Sequence, residues 1–283
     1  MKTHKSLSLV ALVVRGFMVT FCMLTLTDAQ VTVAPAALFV DSKSGIGNLY
    51  ITNNSASDQE VSIEFVFGYP DADSLGNTIM NYKNVPPANA YSLNPFIRAY
   101  PRTFLLQTKK EQTVRLQIRT KGDAKDSFYF TRIKVTSSQK SPDVGTKTTE
   151  GVSAQINFRF EQILPVFYHK GNATTGLKIY DVSTSIKEKK LSILSDIERN
   201  GTAPFIGSMK AILYSAEKKE VAKFEGTVAI YFRMMQKVEL DLANAAKGPH
   251  RLVLTYETQR SDIAVQDLLQ AAPVTKEVIV NLP

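Results

Sequence analysis

Tryptophan is absent from this sequence of 283 residues, and cysteine occurs only once, as Cys22. Cys22 lies in an N-terminal segment that we expect to be removed, so the mature chain would contain no thiol. This excludes disulfide-stapled scaffolds, thiolate metal sites and the antibody type of immunoglobulin domain, which combines a disulfide with a buried tryptophan. Such a chain must be stabilised by its apolar core, which domains of more than ~100 residues can build.

Histidine is also scarce. Only His169 and His250 follow the N-terminal segment, and neither lies in a metal-binding spacing. The sequence has no Gly-x-Ser-x-Gly elbow, no Gly-x-Gly-x-x-Gly turn and no phosphate-binding loop. Carboxylate pairs such as Asp71 and Asp73 fall in expected loops, where solvation explains them. We therefore predict that the protein is not an enzyme, has no catalytic residue, and binds no metal, cofactor or small-molecule substrate.

No single sign of charge dominates the chain. Lys and Arg total 34 against 26 Asp and Glu, a formal net charge of +8, and the two signs are interspersed. This mild excess favours solubility and argues against a nucleic-acid partner. A hydrophobic content of 44% excludes a disordered chain, and 14 glycines with 12 prolines exclude a collagen-like one.

Residues 1–29 have the layout of a secretory signal peptide. A basic start is followed by an apolar stretch, of which 16–26 alone is long enough, and by Thr27, Asp28 and Ala29, with small residues three and one before a cut that we place before Gln30. Arg15 interrupts the apolar stretch, so an uncleaved membrane anchor is the competing interpretation. No later segment has 18 uninterrupted apolar residues, the length of a membrane span.

Beyond residue 30 the sequence alternates with period two and is rich in Val, Ile, Phe, Tyr and Thr, which predicts strands. In the first half the expected strands are 31–40, 48–53, 60–67, 103–106, 113–119, 128–135 and 152–168. In the second half they are 177–184, 191–198, 207–214, 222–229, 237–242, 251–256 and 274–282. Only 263–271 suggests a helical turn, and the proline-rich stretch 69–101 is expected to be an elaborated loop.

Small and polar residues at 169–176 separate these two series of strands. The sequence therefore predicts an all-β fold of two immunoglobulin-like β-sandwich domains in tandem. We expect a signal peptide at 1–29, an N-terminal domain at 30–170 and a C-terminal β-sandwich domain at 171–283.

The first half carries a recognisable order of motifs. After a proline come Phe104 and Leu105, a turn, and then Gln112, Val114 and Arg115. This pattern resembles the D–E strand signature of periplasmic pilus-assembly chaperones. Three further segments resemble the family's B–C region, F strand and G-strand end; they are 49–65, 126–130 and 162–168. The second half shares only the sandwich pattern.

The resemblance implies a mechanism, donor-strand complementation, in which the chaperone lends its G strand to an incomplete subunit. Aligned to the end of that strand, Ile156, Phe158 and Phe160 occupy the donor positions for binding a subunit. The residues that alternate with them are polar: Ser153, Gln155, Asn157, Arg159 and Glu161. The same alternation also occurs in an ordinary half-buried strand.

Two residues match family positions that form a structural inter-domain ion pair, Arg115 and Asp126, with Glu257 and Asp262 as candidates for a third, acidic partner. The family's paired cations for a subunit carboxylate are missing, because the first strand offers Pro35 and the G-strand position is Pro165. The resemblance is thus to a divergent member.

These observations predict a chaperone, exported to the periplasm, that caps pilus or fimbrial subunits before their assembly at the outer membrane. Its partners would be pilin-like subunit proteins, and the sequence leaves open whether an outer-membrane usher takes part. The alternative is a secreted or surface immunoglobulin-like adhesion or structural protein, in which the G strand is fully paired within its own domain.

Overall fold

The computed structural model describes residues 31–120, 124–140, 158–243 and 245–283. The predicted signal peptide and Ile156 lie outside these ranges, as do Ser153, Gln155 and Asn157. Almost all regular structure is β, and the predicted fold of two immunoglobulin-like sandwiches in tandem is confirmed.

In its described residues, the first half contains eleven strands and one short helix. They are β1 (Val31–Ala34), β2 (Leu38–Asp41), β3 (Ile46–Asn53), β4 (Gln59–Val66), β5 (Tyr69–Ala72), β6 (Thr78–Asn81), α1 (Val85–Tyr91), β7 (Ile97–Tyr100), β8 (Thr103–Leu106), β9 (Glu111–Ile118), β10 (Ser127–Gln139) and β11 (Arg159–Lys170). Nine of these strands form the first sandwich, with sheet orders β1-β3-β9-β7 and β2-β11-β10-β4-β8.

The second half contains seven strands and a 3-10 turn at Val265–Asp267. The strands are β12 (Leu177–Lys187), β13 (Lys190–Arg199), β14 (Phe205–Tyr214), β15 (Glu220–Ile230), β16 (Met234–Asp241), β17 (Gly248–Glu257) and β18 (Val274–Leu282). They form the second sandwich, with sheet orders β12-β13-β16 and β15-β14-β17-β18. All seven predicted strands of this half are present, because each alternates cleanly between apolar and polar residues.

Each sandwich encloses its own apolar core. Leu49, Val114 and Ile133 are fully buried in the first, and Leu191 and Phe205 are fully buried in the second. β11 ends at Lys170, β12 begins at Leu177, and none of the sheets in the described part of the chain combines strands from both sides. The limits 30–170 and 171–283 stay a prediction for the domains.

Two local expectations were wrong. The segment 31–40 is two strands in different sheets, because Pro35 has no N–H to donate and the chain crosses from one sheet to the other there. The segment 69–101 is not a plain loop, since it contains the β5-β6 hairpin, helix α1 and strand β7. β7 lies at the edge of its sheet, and prolines occupy the first turn of α1, where a missing N–H costs little.

Candidate functional site

The candidate site is strand β11, which is paired differently along its two halves. It pairs with β10 along its whole length, from Arg159 opposite Ser138 to Lys170 opposite Ser127. On its other edge, β2 pairs only with Val166 to His169. Within the described ranges, therefore, no strand covers that edge at 159–165. An open edge with free N–H and C=O groups is a template for a strand from another chain.

The inward-facing side chains of β11 continue beyond the core. Val166 is fully buried and Leu164 packs against the core of the first sandwich. Gln162 lies on the same face, and its Nε2 donates to the carbonyl oxygen of Val31 at 2.8 Å. Phe160 follows on that face, yet 40% of its surface is exposed. The apolar row thus extends past the point where its own sandwich covers it.

Phe158 lies directly before β11 and is 57% exposed. Its ring centroid is 6.2 Å from that of Phe160, so the two rings form a small apolar patch in water. Covering a side chain of this size removes an apolar area worth about 1.5–3 kcal/mol. Two of the three predicted donor residues therefore lie together and accessible at the open half of the strand.

Charged residues occupy the outward face of this half, as the alternation predicts. Arg159 pairs with Glu161 at 3.1 Å, and the ammonium of Lys134 on β10 lies 2.6 Å from Glu64 and 3.9 Å from Glu161. The hydrogen bond from Lys134 holds the pKa of Glu64 below its usual range. Exposed ion pairs of this kind add little stability. The main effect of these charged residues is therefore to keep the outward face polar. Ile163, 38% exposed, is the apolar exception.

A groove of about 590 Å³ runs over the same outward face, across β4, β8 and β10. Its lining combines Glu60, Ser62, Leu105, Thr136, Lys140 and Arg159. The Thr136 hydroxyl is buried there and has no hydrogen-bond partner in the part of the chain that the structure describes. The groove therefore has mixed walls, in which Val61, Phe104 and Leu105 alternate with charged and hydroxyl side chains.

The sequence did not single out Arg132, which lies on this face beside Pro165 of β11. Its Nε donates to the carbonyl oxygen of Gly68 at 3.2 Å, and no described carboxylate lies within 4.0 Å of its guanidinium. The cation that the family resemblance would place at position 165 is absent, but Arg132 supplies a positive charge at the paired position of β10. An arginine inside an ordinary strand pattern carries no sequence signal for such a position.

The structure does not bring Arg115 and Asp126 together, since no ion pair joins these two described residues. Arg115 projects from the solvent face of β9, whereas Asp126 precedes β10 in the opposite sheet. The Asp126 carboxylate instead accepts a hydrogen bond from the backbone N–H of Asn172, at 3.0 Å. Of the proposed acidic partners, Asp262 pairs with Arg260.

The Asp73 carboxylate, which the sequence analysis assigned to a loop, has a structural role. Asp73 accepts backbone hydrogen bonds from Leu75 and Asn77 and so closes the β5-β6 turn. In the described ranges, no group of three or more His, Cys, Asp or Glu side chains is arranged to hold a metal ion. Nor does the described part of the chain contain a helix long and apolar enough to cross a membrane.

No protein-family model matches this sequence, and no curated protein matches it either. Among solved structures, the chain is similar to the YadV chaperone, with 11% identity over 88% of this chain and 100% of that one and a TM-score of 0.48. It is also similar to the Acinetobacter baumannii CsuC–CsuE chaperone–tip adhesion subunit complex, with 10% identity, coverage of 90% and 98%, and a TM-score of 0.44. A third is the Salmonella enterica SafA pilin in complex with the SafB chaperone, at 11% identity, 90% and 99% coverage and a TM-score of 0.41. The likeness to these structures is one of fold alone.

Proposed function

We propose that this protein is a periplasmic chaperone that caps pilus or fimbrial-type subunits by donor-strand complementation before their assembly at the outer membrane. The observation that carries the proposal is the half-paired strand β11, whose open edge at 159–165 lies beside the exposed rings of Phe158 and Phe160. A subunit that lacks one strand has the complementary defect, an open edge next to an uncovered apolar core.

Both parts of the strand would contribute to capture. The backbone of 159–165 would add to the subunit's sheet through main-chain hydrogen bonds, which are independent of the subunit's sequence. Phe160, Phe158 and, farther along, Ile156 would enter the apolar groove that the missing strand leaves. Each ring would contribute about 1.5–3 kcal/mol, from which the cost of ordering the strand must be subtracted.

The competing function is an immunoglobulin-like adhesion or structural module. A G strand in such a module is covered on both edges by its own domain, whereas β11 is covered on both edges only at Val166 to His169. We therefore favour strand donation. Export would follow from cleavage before Gln30, which mass spectrometry of the mature protein would detect as a chain that begins there.

The test compares two substitutions on opposite faces of one strand. Phe160→Asp places a charge on the donor face, and Ile163→Asp places the same charge on the outward face at almost equal exposure. The probe is a pilin-like subunit that lacks one strand of its own sandwich, co-expressed with the tagged chaperone. We expect Phe160→Asp to weaken capture by roughly 10- to 100-fold, with a smaller loss for Phe158→Asp, because a charge in an apolar groove forfeits the burial of the ring.

Ile163→Asp should capture the subunit almost as well as the unchanged chain. If Phe160→Asp unfolds the isolated protein and no subunit co-purifies with the unchanged chain, the alternation is ordinary core packing. The adhesion-module interpretation then replaces strand donation.

A further inference from the structure

Residues 69–91, which we call the wedge, leave the first sandwich after β4 and return before β7. They comprise the β5-β6 hairpin and helix α1, which belong to neither sheet of that sandwich. The hairpin reaches the second sandwich instead. Ala72 packs against the second core, and the backbone N–H of Lys237 on β16 donates to the carbonyl oxygen of Gly76 at 2.9 Å.

Gly76 shows how closely the hairpin approaches. Its φ of +81° lies in the left-handed region, and a Cβ at this position would come within 2.3 Å of the Leu194 side chain on β13. Glycine suits this position, because any side chain would be strained at this φ and would force Leu194 to move. The tip of the wedge is thus fitted to the surface of the second sandwich.

At the base of the wedge, aromatic rings from both sandwiches form one cluster. Tyr69 is almost fully buried, and its ring centroid lies 4.9 Å from Phe232, 5.9 Å from Tyr231 and 6.4 Å from Phe130. The Tyr69 hydroxyl accepts a hydrogen bond from Asn84 at 2.7 Å, which ties the hairpin to the start of α1. Burial raises the pKa of Tyr69 and that of Tyr231, as expected for phenols enclosed in an apolar cluster.

Tyr91, the last residue of α1, closes the cluster on its other side. Its ring stacks on Phe130 at 5.9 Å and lies 5.7 Å from Phe232. Arg199, at the end of β13, places its guanidinium 4.8 Å from the Tyr91 ring and 5.0 Å from the Phe232 ring. Its Nη2 also donates to the Tyr91 hydroxyl at 2.6 Å. One arginine of the second sandwich is therefore held by a ring of the wedge.

Among the residues that the structure describes, no ion pair crosses this junction. Every ion pair among the described residues joins two groups of the same sandwich. Contacts across the junction are apolar, aromatic, cation–π or hydrogen-bonded. Such contacts depend on close packing and are only weakly sensitive to salt.

We infer that the wedge fixes the angle between the two sandwiches through ring packing around Tyr69 and Tyr91, in place of an inter-domain ion pair. Phe130 connects this cluster to β10, which pairs with β11 along its length, so the wedge also positions the donor strand relative to the second sandwich. This consequence rests on the proposed function; the fixed angle itself does not.

The test measures the inter-sandwich distance without any client. Thr113 and Ser183 are exposed residues on the two sandwiches, and each is replaced by Cys in a full chain that also carries Cys22→Ser. Spin labels at the two positions report a distance distribution by double electron–electron resonance. We expect one narrow distribution that does not change between about 0.1 M and 1 M NaCl, a range that shortens the Debye length from about 10 Å to about 3 Å.

Tyr91→Ala should broaden the distribution by about two-fold, because it removes both the ring stack and the cation–π contact. The matched control is Tyr180→Ala, since the Tyr180 ring also holds an arginine, Arg233 at 4.3 Å, but entirely within the second sandwich. That variant should keep the narrow distribution. If Tyr91→Ala fails to fold, Arg199→Gln replaces it and Arg233→Gln serves as its control. Both variants keep every aromatic ring, and only Arg199→Gln should broaden the distance distribution.

Two results would overturn the inference. One is a distribution in the unsubstituted chain that broadens at high salt, which would assign the angle to charge pairs. The other is a pair of junction variants no broader than their controls, which would make the wedge a passive insertion. A chain with a fixed angle that captures no subunit contradicts strand donation alone, so the two proposals fail separately.

Discussion

The two halves of β11 differ in pairing although they form one continuous strand. From Val166 to Tyr168 the strand has a neighbour on both edges and all three side chains are buried. From Arg159 to Pro165, in the described ranges, it has β10 on one side only, and the side chains of Phe160 and Ile163 are exposed. Residues 166–168 are therefore interior to the sandwich, whereas the described residues 159–165 form an open edge. Burial in a strand is thus decided by what lies beside it as much as by its own alternation.

The two parts of β11 should differ most in the effect of a charge on stability, and the largest effect is expected at Val166. Val166→Asp places an unpaired charge in a dry core, and we expect it to lower the free energy of unfolding by about 4 kcal/mol or more. Phe160→Asp, six residues earlier on the same face, should change it by less than about 1 kcal/mol, because that ring is already half in water. Urea unfolding of the two variants measures both values. Equal losses would mean that the open half is part of the core after all.

Amide hydrogen exchange sharpens the same comparison without a substitution. Amides of residues 166–169 have strand partners available on both edges and should exchange slowly. In 159–165, amides that point away from β10 have no strand to bond, so every second amide should exchange at a rate close to that of a surface loop. Addition of a subunit should protect those amides selectively. Uniform slow exchange along 159–170 in the free protein would contradict the open edge.

The contrast between regular and irregular segments also explains what the sequence could predict. The second sandwich was foreseen strand by strand, because its alternation is regular and its turns are polar. In the first half, the period-two pattern placed Phe158 and Phe160 on one face, and both side chains are exposed there; their role as donor residues stays a prediction. Which edge of β11 stays open could not be foreseen, because pairing depends on where β2 ends in space.

The wedge was missed for a different reason. The short strands around Pro70, and a helix with Pro86 and Pro87 in its first turn, show no sustained hydrophobic periodicity. Local sequence patterns therefore indicate only a loop. Their stability comes from Tyr69 and Tyr91 packing against rings more than 100 residues away in the chain. The expected pair of Arg115 and Asp126 illustrates the converse, since a motif position places a residue on a strand but does not show which groups meet across the fold.

The smallest expected effect concerns Glu64 on β4, which lies on the outward face of the same sheet as β11. The hydrogen bond and the charge of Lys134 hold the Glu64 pKa below its usual range, so the folded state favours the ionised carboxylate. A lowered folded pKa gives stability that is fully present above the unfolded value of about 4.3 and is lost as the pH falls through the folded pKa. Because the pair is exposed, this change in stability should be slight and should shrink further in salt.

The titration of the Glu64 carboxyl, followed by NMR, should therefore have its midpoint below about pH 4.3. Lys134→Gln removes both the hydrogen-bond partner and the positive charge and should move the midpoint up toward that value. Arg159→Gln is the matched control, because Arg159 lies on the same face but pairs with Glu161 and contributes only a weaker charge effect at Glu64. A Glu64 midpoint that does not respond to Lys134→Gln would show that the ion pair between β4 and β10 is absent in solution.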